Sequence, residues 1–366
     1  MLASYSFLLL ILNFSQLNLA QATPADHASS LSVFDALHHS EIIDVTLSTD
    51  LELLRNNQKT NEYQEATLDF ETAAGTMQQL TLKVRPRGKF RRRVCDFAPL
   101  KLNFSKSDLA KAGYNDFDKM KLVTHCMDDR SISKENIMRE YMAYKLYNEI
   151  TDQSLRVQLV RITYVDTQSK TKIKNRYGFL IEGVRQLAHR MNAEEYEQMN
   201  VNDSQLVAGT ESTVAFFQYM IGNADWDIKM LRNVKLMSNK ASGMITAVPF
   251  DFDFSGLVNA PYAIPNPDYK LRSVKQRYYL GHDISQSEWN NTVDLYQRKR
   301  VDLINLVLSF KHLKKSSRED MIQYLDEFYS ELETKQANKD SLQWSSDQQM
   351  LEEGSTLPVN PSSFKK

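Results

Sequence analysis

Residues 222–254 read GNADWDIKMLRNVKLMSNKASGMITAVPFDFDF, and they carry four aspartates, Asp225, Asp227, Asp251 and Asp253, in a setting apolar enough to bury most of them. The run 214–221 just before is apolar and rich in aromatics, which predicts a core helix closed by Gly222. Segments 233–237 and 244–248 predict two strands joined by a polar turn that ends in Gly243. A hairpin returns its far end to its near end, so Asn233 and Asp251 are expected to meet close to Asp225. Hard oxygen ligands and a free carboxylate then share one pocket. Mg²⁺ is usually held by one or two carboxylates or amides plus phosphates and waters, and phosphoryl transfer needs a further carboxylate to orient the attacking hydroxyl. Taken singly, each of these residues is an ordinary turn former. Taken jointly, in this order around a hairpin, they point to a site.

The order acid, Asn, hairpin, Asp is that of the protein-kinase catalytic loop and its DFG segment. GNADWD followed by NVKL and then PFDFDF resembles the CotH family of atypical secretory kinases, named for a spore-coat protein. The resemblance implies an α+β, bilobal protein-kinase-like architecture with an antiparallel-sheet N-lobe and a mainly helical C-lobe. It implies ATP as co-substrate with Mg²⁺ or Mn²⁺, a catalytic base at Asp225 or Asp227, and metal ligands at Asn233, Asp251 and Asp253. One departure stands out. Asn233 lies eight positions after Asp225 and six after Asp227, whereas kinase loops space the base and the asparagine as D-x-x-x-x-N. Either the loop carries an insertion or Asp227 is the base, and the sequence leaves both open.

With 366 residues, 42% apolar and 25% charged, the chain can bury a large core in one bilobal domain or two domains. A formal charge of −1 removes any global electrostatic case for nucleic acid. The apolar run 7–12 is too short to span a bilayer and is followed by Ala20-Gln21-Ala22, a small-x-small cleavage pattern. A signal peptide over 1–22, cleaved after Ala22, is therefore expected, with a secreted or periplasmic mature chain and no membrane span. Export makes Cys95 and Cys126 candidates for one disulfide. His125 beside Cys126 reads as structural.

After an expected flexible lead-in over 23–40, segments 42–47, 66–70 and 80–84 predict an antiparallel sheet within a β-rich, N-lobe-like region at 41–184. The sheet runs into Arg85-Pro86-Arg87-Gly88-Lys89-Phe90-Arg91-Arg92-Arg93, six cations in nine residues. A charged edge strand is the plain reading. The functional one is a phosphate-facing segment, with Gly88 letting the backbone approach an anion and Arg87 beside it. CotH-like chains carry an Arg-Gly element near this position. The strand at 99–104 offers Lys101 as the lysine that grips phosphates, with Lys121 as its competitor. A helix over 134–150, capped by Ser133, turns Glu140 to its inward face, where a carboxylate needs a cation; a lysine from the sheet would complete a Lys–Glu pair. Strands at 156–165 and 177–182 end in Glu182-Gly183, a crossing between lobes at which adenine is expected.

The remainder, 185–334, is C-lobe-like, with a Pro-punctuated loop at 255–265 that would shape an acceptor groove and helices at 286–310 and 316–332, the second opened by a capping box at Ser316. A disordered tail is expected over 335–366. The function expected is a secreted atypical kinase that passes the ATP γ-phosphoryl group to a hydroxyl, on a protein in preference to a sugar or lipid. A non-catalytic pseudokinase or envelope binding module is the alternative. A metal-dependent phosphohydrolase built on the four aspartates is the second.

Overall fold

Alternation in sequence becomes alternation in burial along β1 (Ile42–Thr49), β2 (Gln64–Glu71) and β3 (Met77–Pro86) in the computed structural model of the chain, which describes residues 31–338. β4 (Leu100–Phe104), β5 (Lys119–Val123), β6 (Val157–Asp166) and β7 (Lys172–Ile181) continue the sheet. It does not stay open. The strand order β1-β2-β3-β4-β5-β7-β6 closes on itself through a parallel pairing of β1 with β6, from Ile42 opposite Leu159 to Thr49 opposite Asp166, while the other neighbours pair antiparallel. Leu47, Phe70, Val84, Leu102, Ile162 and Tyr164 fill the interior.

This closure corrects the expected bilobal protein-kinase-like architecture. An N-lobe of that kind is an open antiparallel sheet, whereas here seven strands form a mixed barrel. The physical reason lies in β6: Val157 to Val160 are buried in succession, so this strand has no polar margin to leave facing solvent and takes a neighbour on each side. The same closure means that β3, which carries the start of the cationic run, is no edge strand, because β2 and β4 flank it.

Helices α1 (Val33–Leu37), α2 (Leu51–Asn56), α3 (Arg91–Val94), α4 (Lys106–Lys111) and α5 (Arg130–Ile150) decorate or follow the barrel strands. α6 (Val184–Arg190), α7 (Thr210–Met220), α8 (Gln286–Ser309) and α9 (Lys315–Asn338) belong to the second half. There β8 (Ala193–Tyr196), β9 (Val234–Asn239) and β10 (Ile245–Pro249) make a small antiparallel sheet in the order β10-β9-β8. Tyr144, Phe216, Phe217, Phe252, Tyr296 and Phe328 anchor the core shared by α5, α7, α8, α9 and this sheet.

Several boundaries move for local reasons. Asp129, not Ser133, caps α5, its carboxylate accepting from the Ser131 and Ile132 amides. α9 starts at Lys315, so Ser316 lies inside its first turn. Within the expected lead-in, 33–37 is helical: Ser32 and Asp35 form a capping box and Val33, Phe34 and Leu37 are buried. The expected signal peptide, the first part of the lead-in and the tail beyond residue 338 lie outside the described residues. Cys95 and Cys126 are joined, Cα atoms 4.6 Å apart, which ties the end of α3 to the segment after β5. His125 is buried and stacks on Phe97. Among the described residues no helix is long and apolar enough to cross a membrane.

Candidate functional site

α7 ends at a glycine for a steric reason. Gly222 has φ +64°, and a Cβ there would lie 2.0 Å from the Tyr324 hydroxyl. The next residue, Asn223, is buried and acts as a bracket: its amide donates to Gln218 and its Oδ1 accepts from the Asp225 N–H at 3.0 Å. Asp225 is then gripped from the far side. Asn233 Nδ2 donates to the Asp225 carboxylate at 2.9 Å and to its backbone carbonyl at 2.7 Å.

The residues between them make a closed turn. Asp227 and Arg232 each donate a backbone N–H to the other's carbonyl at 2.9 Å, and the Asp227 carboxylate accepts from the Met230 N–H at 2.8 Å. The unusual spacing from Asp225 to Asn233 is thus a looped-out turn. Asp227 serves that turn and does not line the cleft, whereas Asp225 does.

Asn233 and Asp251 flank the open end of the β9–β10 hairpin, and both lie in the left-handed region, at φ +50° and +66°. Asn and Asp tolerate that conformation better than other side-chain-bearing residues. The Phe250 N–H donates to the Asn233 carbonyl and the Asp251 N–H to the Tyr144 hydroxyl, which fixes both turns.

The opposite wall comes from the cationic run, and its members part company. Arg85 lies over the Tyr63 ring, and Arg92 donates to the carbonyls of Gln58 and Thr60. Arg91 turns inward and is almost wholly buried. Its Nη2 donates to Glu140 Oε1 and its Nε to Asp253 Oδ2, both at 2.8 Å, and Asp251 Oδ1 stands 3.8 Å from Nη2. Arg87 and Gly88 line the cleft, about 690 Å³ in volume, that also receives Arg91, Asp225, Asn233, Asp251 and Asp253. That is the size of an ordinary small-molecule site.

Other expected residues stand elsewhere. Lys101 pairs in register with Arg85 and Lys121 on neighbouring strands and does not line the cleft. Lys121 is partly buried, its Nζ 4.2 Å from the centre of the Phe250 ring, next in sequence to Asp251. Neither lysine pairs with Glu140; Arg91 does. Glu182 is buried away from the cleft and locked by Arg156 and Arg190 at 2.8 and 3.0 Å, so it braces the start of α6. The sequence held the clue to Arg91 only as one cation among six, because the four residues of α3 are too few to show a periodicity.

Charge explains the protonation behaviour of the cluster. Burial raises the Asp225 carboxyl above its usual range, Arg232 opposing and Asp251 and Asp253 adding to it. Burial likewise lifts Asp253 and Glu140, against the pull of Arg91. Burial also disfavours the charge on Asp251, but Arg91, Arg87 and Lys121 outweigh it and hold that carboxyl low. Burial, with Arg87 beside it, pushes the Lys121 ammonium down to about 7. Carboxylate oxygens of Glu140, Asp251 and Asp253 lie within 4.8 Å of one another, with one guanidinium among them. Acid is in excess, and the free donors are hard oxygens, so the set fits a hard divalent cation. Arg91 already serves Glu140 and one oxygen of Asp253, which leaves Asp251, the second Asp253 oxygen and the Asn233 amide oxygen as the groups that would hold one.

No protein-family model and no curated protein sequence matches the chain.

Proposed function

We propose that the chain is a phosphotransferase that moves the terminal phosphoryl group of ATP, with Mg²⁺ or Mn²⁺, to an acceptor hydroxyl, in the first instance on a protein. One observation carries this reading. Arg87, which lines the cleft, and Lys121, which lies outside its lining against Phe250, form no ion pair among the described residues and are no more than partly exposed, and both act on Asp251, in the same cleft as a carboxylate gripped by Asn233. Partly buried cations without an anionic partner cost free energy until an anion joins them. A polyphosphate supplies that anion.

In this reading Asp225 orients the acceptor hydroxyl and takes its proton as the oxygen bonds to phosphorus and the bond to ADP breaks. A base needs a pKa near the working pH, and the burial that raises Asp225 moves it that way. Arg87 and Lys121 offset the charge of the phosphates. Asp251, Asp253 and Asn233 would hold the divalent ion, which when bound neutralises charge on the phosphate oxygens. The motif resemblance to CotH-like kinases supports the same chemistry, and the disulfide supports an exported chain.

A second reading, a nucleotide or cation binder without turnover, has its own support, since Arg91 already neutralises two of the three clustered carboxylates. A two-metal phosphohydrolase gains no observation: His189 packs on Phe117 and His282 pairs with Glu211. Transfer of radiolabelled γ-phosphate from ATP to added proteins, by wild type and by Asp251→Asn, separates transferase from binder. Equal incorporation by the two proteins ends the transferase proposal.

A further inference from the structure

The looped-out turn between Asp227 and Arg232 does more than fill a gap. Its two backbone hydrogen bonds and the Asp227 cap hold it rigid, and it presents two side chains to the mouth of the cleft: Met230, 53% exposed, and Arg232. Arg232 is exposed and makes no side-chain hydrogen bond or ion pair among the described residues. The same cleft is lined by the loop carrying Ile264, 59% exposed, pinned by the Asn266 amide donating to the Ala224 carbonyl at 3.0 Å. An unpaired cation that lines a cleft together with two exposed apolar side chains suits a chain that is acidic and partly apolar.

Position decides which substrate it reads. Arg87 lines the cleft with Asp251, where phosphate is assigned, while Arg232 lines it directly before Asn233, whose amide holds the Asp225 carboxylate at 2.9 Å. Resting on the phosphotransfer proposal above, we infer that Arg232 selects the acceptor, recognising a serine- or threonine-bearing peptide with an acidic side chain next to the target hydroxyl. Phosphate oxygens are served by Arg87, so Arg232 is a specificity residue and not part of the nucleotide site. Met230 and Ile264 close over the flanking apolar groups of the peptide.

The test uses the purified chain with ATP and Mn²⁺ or Mg²⁺, and three serine peptides flanked by glutamates, by alanines or by lysines. Wild type is expected to favour the glutamate peptide over the lysine peptide by up to about fivefold in kcat/KM, the scale of one rim charge pair. Arg232→Ala should erase that preference through KM while its affinity for a fluorescent ATP analogue stays within about twofold of wild type. Arg232→Glu should turn the preference toward lysine. An unchanged preference in Arg232→Ala, or a loss of nucleotide affinity in its place, overturns the assignment and leaves phosphotransfer standing. Transfer to none of the three peptides overturns both. Arg232 is exposed, so an unchanged melting temperature is expected for each variant.

Discussion

Arg91 and Glu140, 49 positions apart in the chain, meet at 2.8 Å with side chains only 6% and 3% exposed. The same guanidinium reaches Asp253 through Nε, so one planar fork serves two carboxylates from different elements. A lysine has a single ammonium and could not present two donors at fixed angles. The pair therefore holds α3, α5 and the segment after β10 in one geometry, and the cleft takes its shape from that junction.

Replacing Arg91 by Met should leave Glu140 and Asp253 buried without a partner. The expected loss is about 3–5 kcal/mol of unfolding free energy, measured by urea denaturation. Arg91→Lys should recover only part of it. A Met variant within about 1 kcal/mol of wild type would show that the junction does not hold the fold.

Asp251→Asn keeps a residue that tolerates φ +66° but removes the charge that Arg91, Arg87 and Lys121 hold in place. Phosphate transfer should fall by about 10²–10³, the cost typical of one preorganised electrostatic group. The melting temperature should move by only a few degrees. A collapse of the fold in parallel with activity would argue for a structural role.

Nucleotide affinity should depend on pH through Lys121. Its ammonium is pushed down to about 7, with Arg87, Lys235, Asp251 and Glu195 facing it. Below that pH the free protein carries the charge that polyphosphate needs, so affinity should weaken as pH rises from 6 to 9. For stability the sign is separate. Folding holds this lysine below its unfolded value, so the unfolded chain binds more protons between about pH 7 and 10.4, and Lys121 favours the folded state increasingly across that window. Lys121→Arg, charged throughout, should flatten the affinity profile measured by titration calorimetry. An equal slope in wild type and variant would remove Lys121 from the nucleotide site.

Breaking the Cys95–Cys126 link should cost about 3–4 kcal/mol, as expected for a sequence separation of 31. Cys95 caps α3, whose first residue is Arg91. The Cys95→Ser/Cys126→Ser protein should thus bind nucleotide more weakly even at temperatures where it remains folded. Unaltered affinity in that protein would show that the cleft does not depend on the bolt.

The hairpin was legible because its two strands are short apolar runs bounded by Asn233, Gly243 and Asp251, and such local signals survive folding. The proximity of Asp225 to Asn233 followed from it. Other features had no local signature. The parallel pairing of β1 with β6 joins residues more than a hundred positions apart and is favoured by the buried run Val157 to Val160 on β6, not by any turn. Arg91 was hidden among look-alike neighbours. Glu182 read as part of a crossing only because its two arginine partners, Arg156 and Arg190, lie in separate segments.

A sheet that closes on itself offers no unpaired row of N–H and C=O groups. Peptide capture by β-augmentation, in which a guest segment extends an exposed margin with main-chain hydrogen bonds, is therefore closed to the barrel. On the proposed reading, a protein acceptor that does not pair with a margin of the β10-β9-β8 sheet is chosen by its side chains at the cleft. Discrimination then falls to a handful of contacts that single substitutions can rewrite, and backbone shape contributes little.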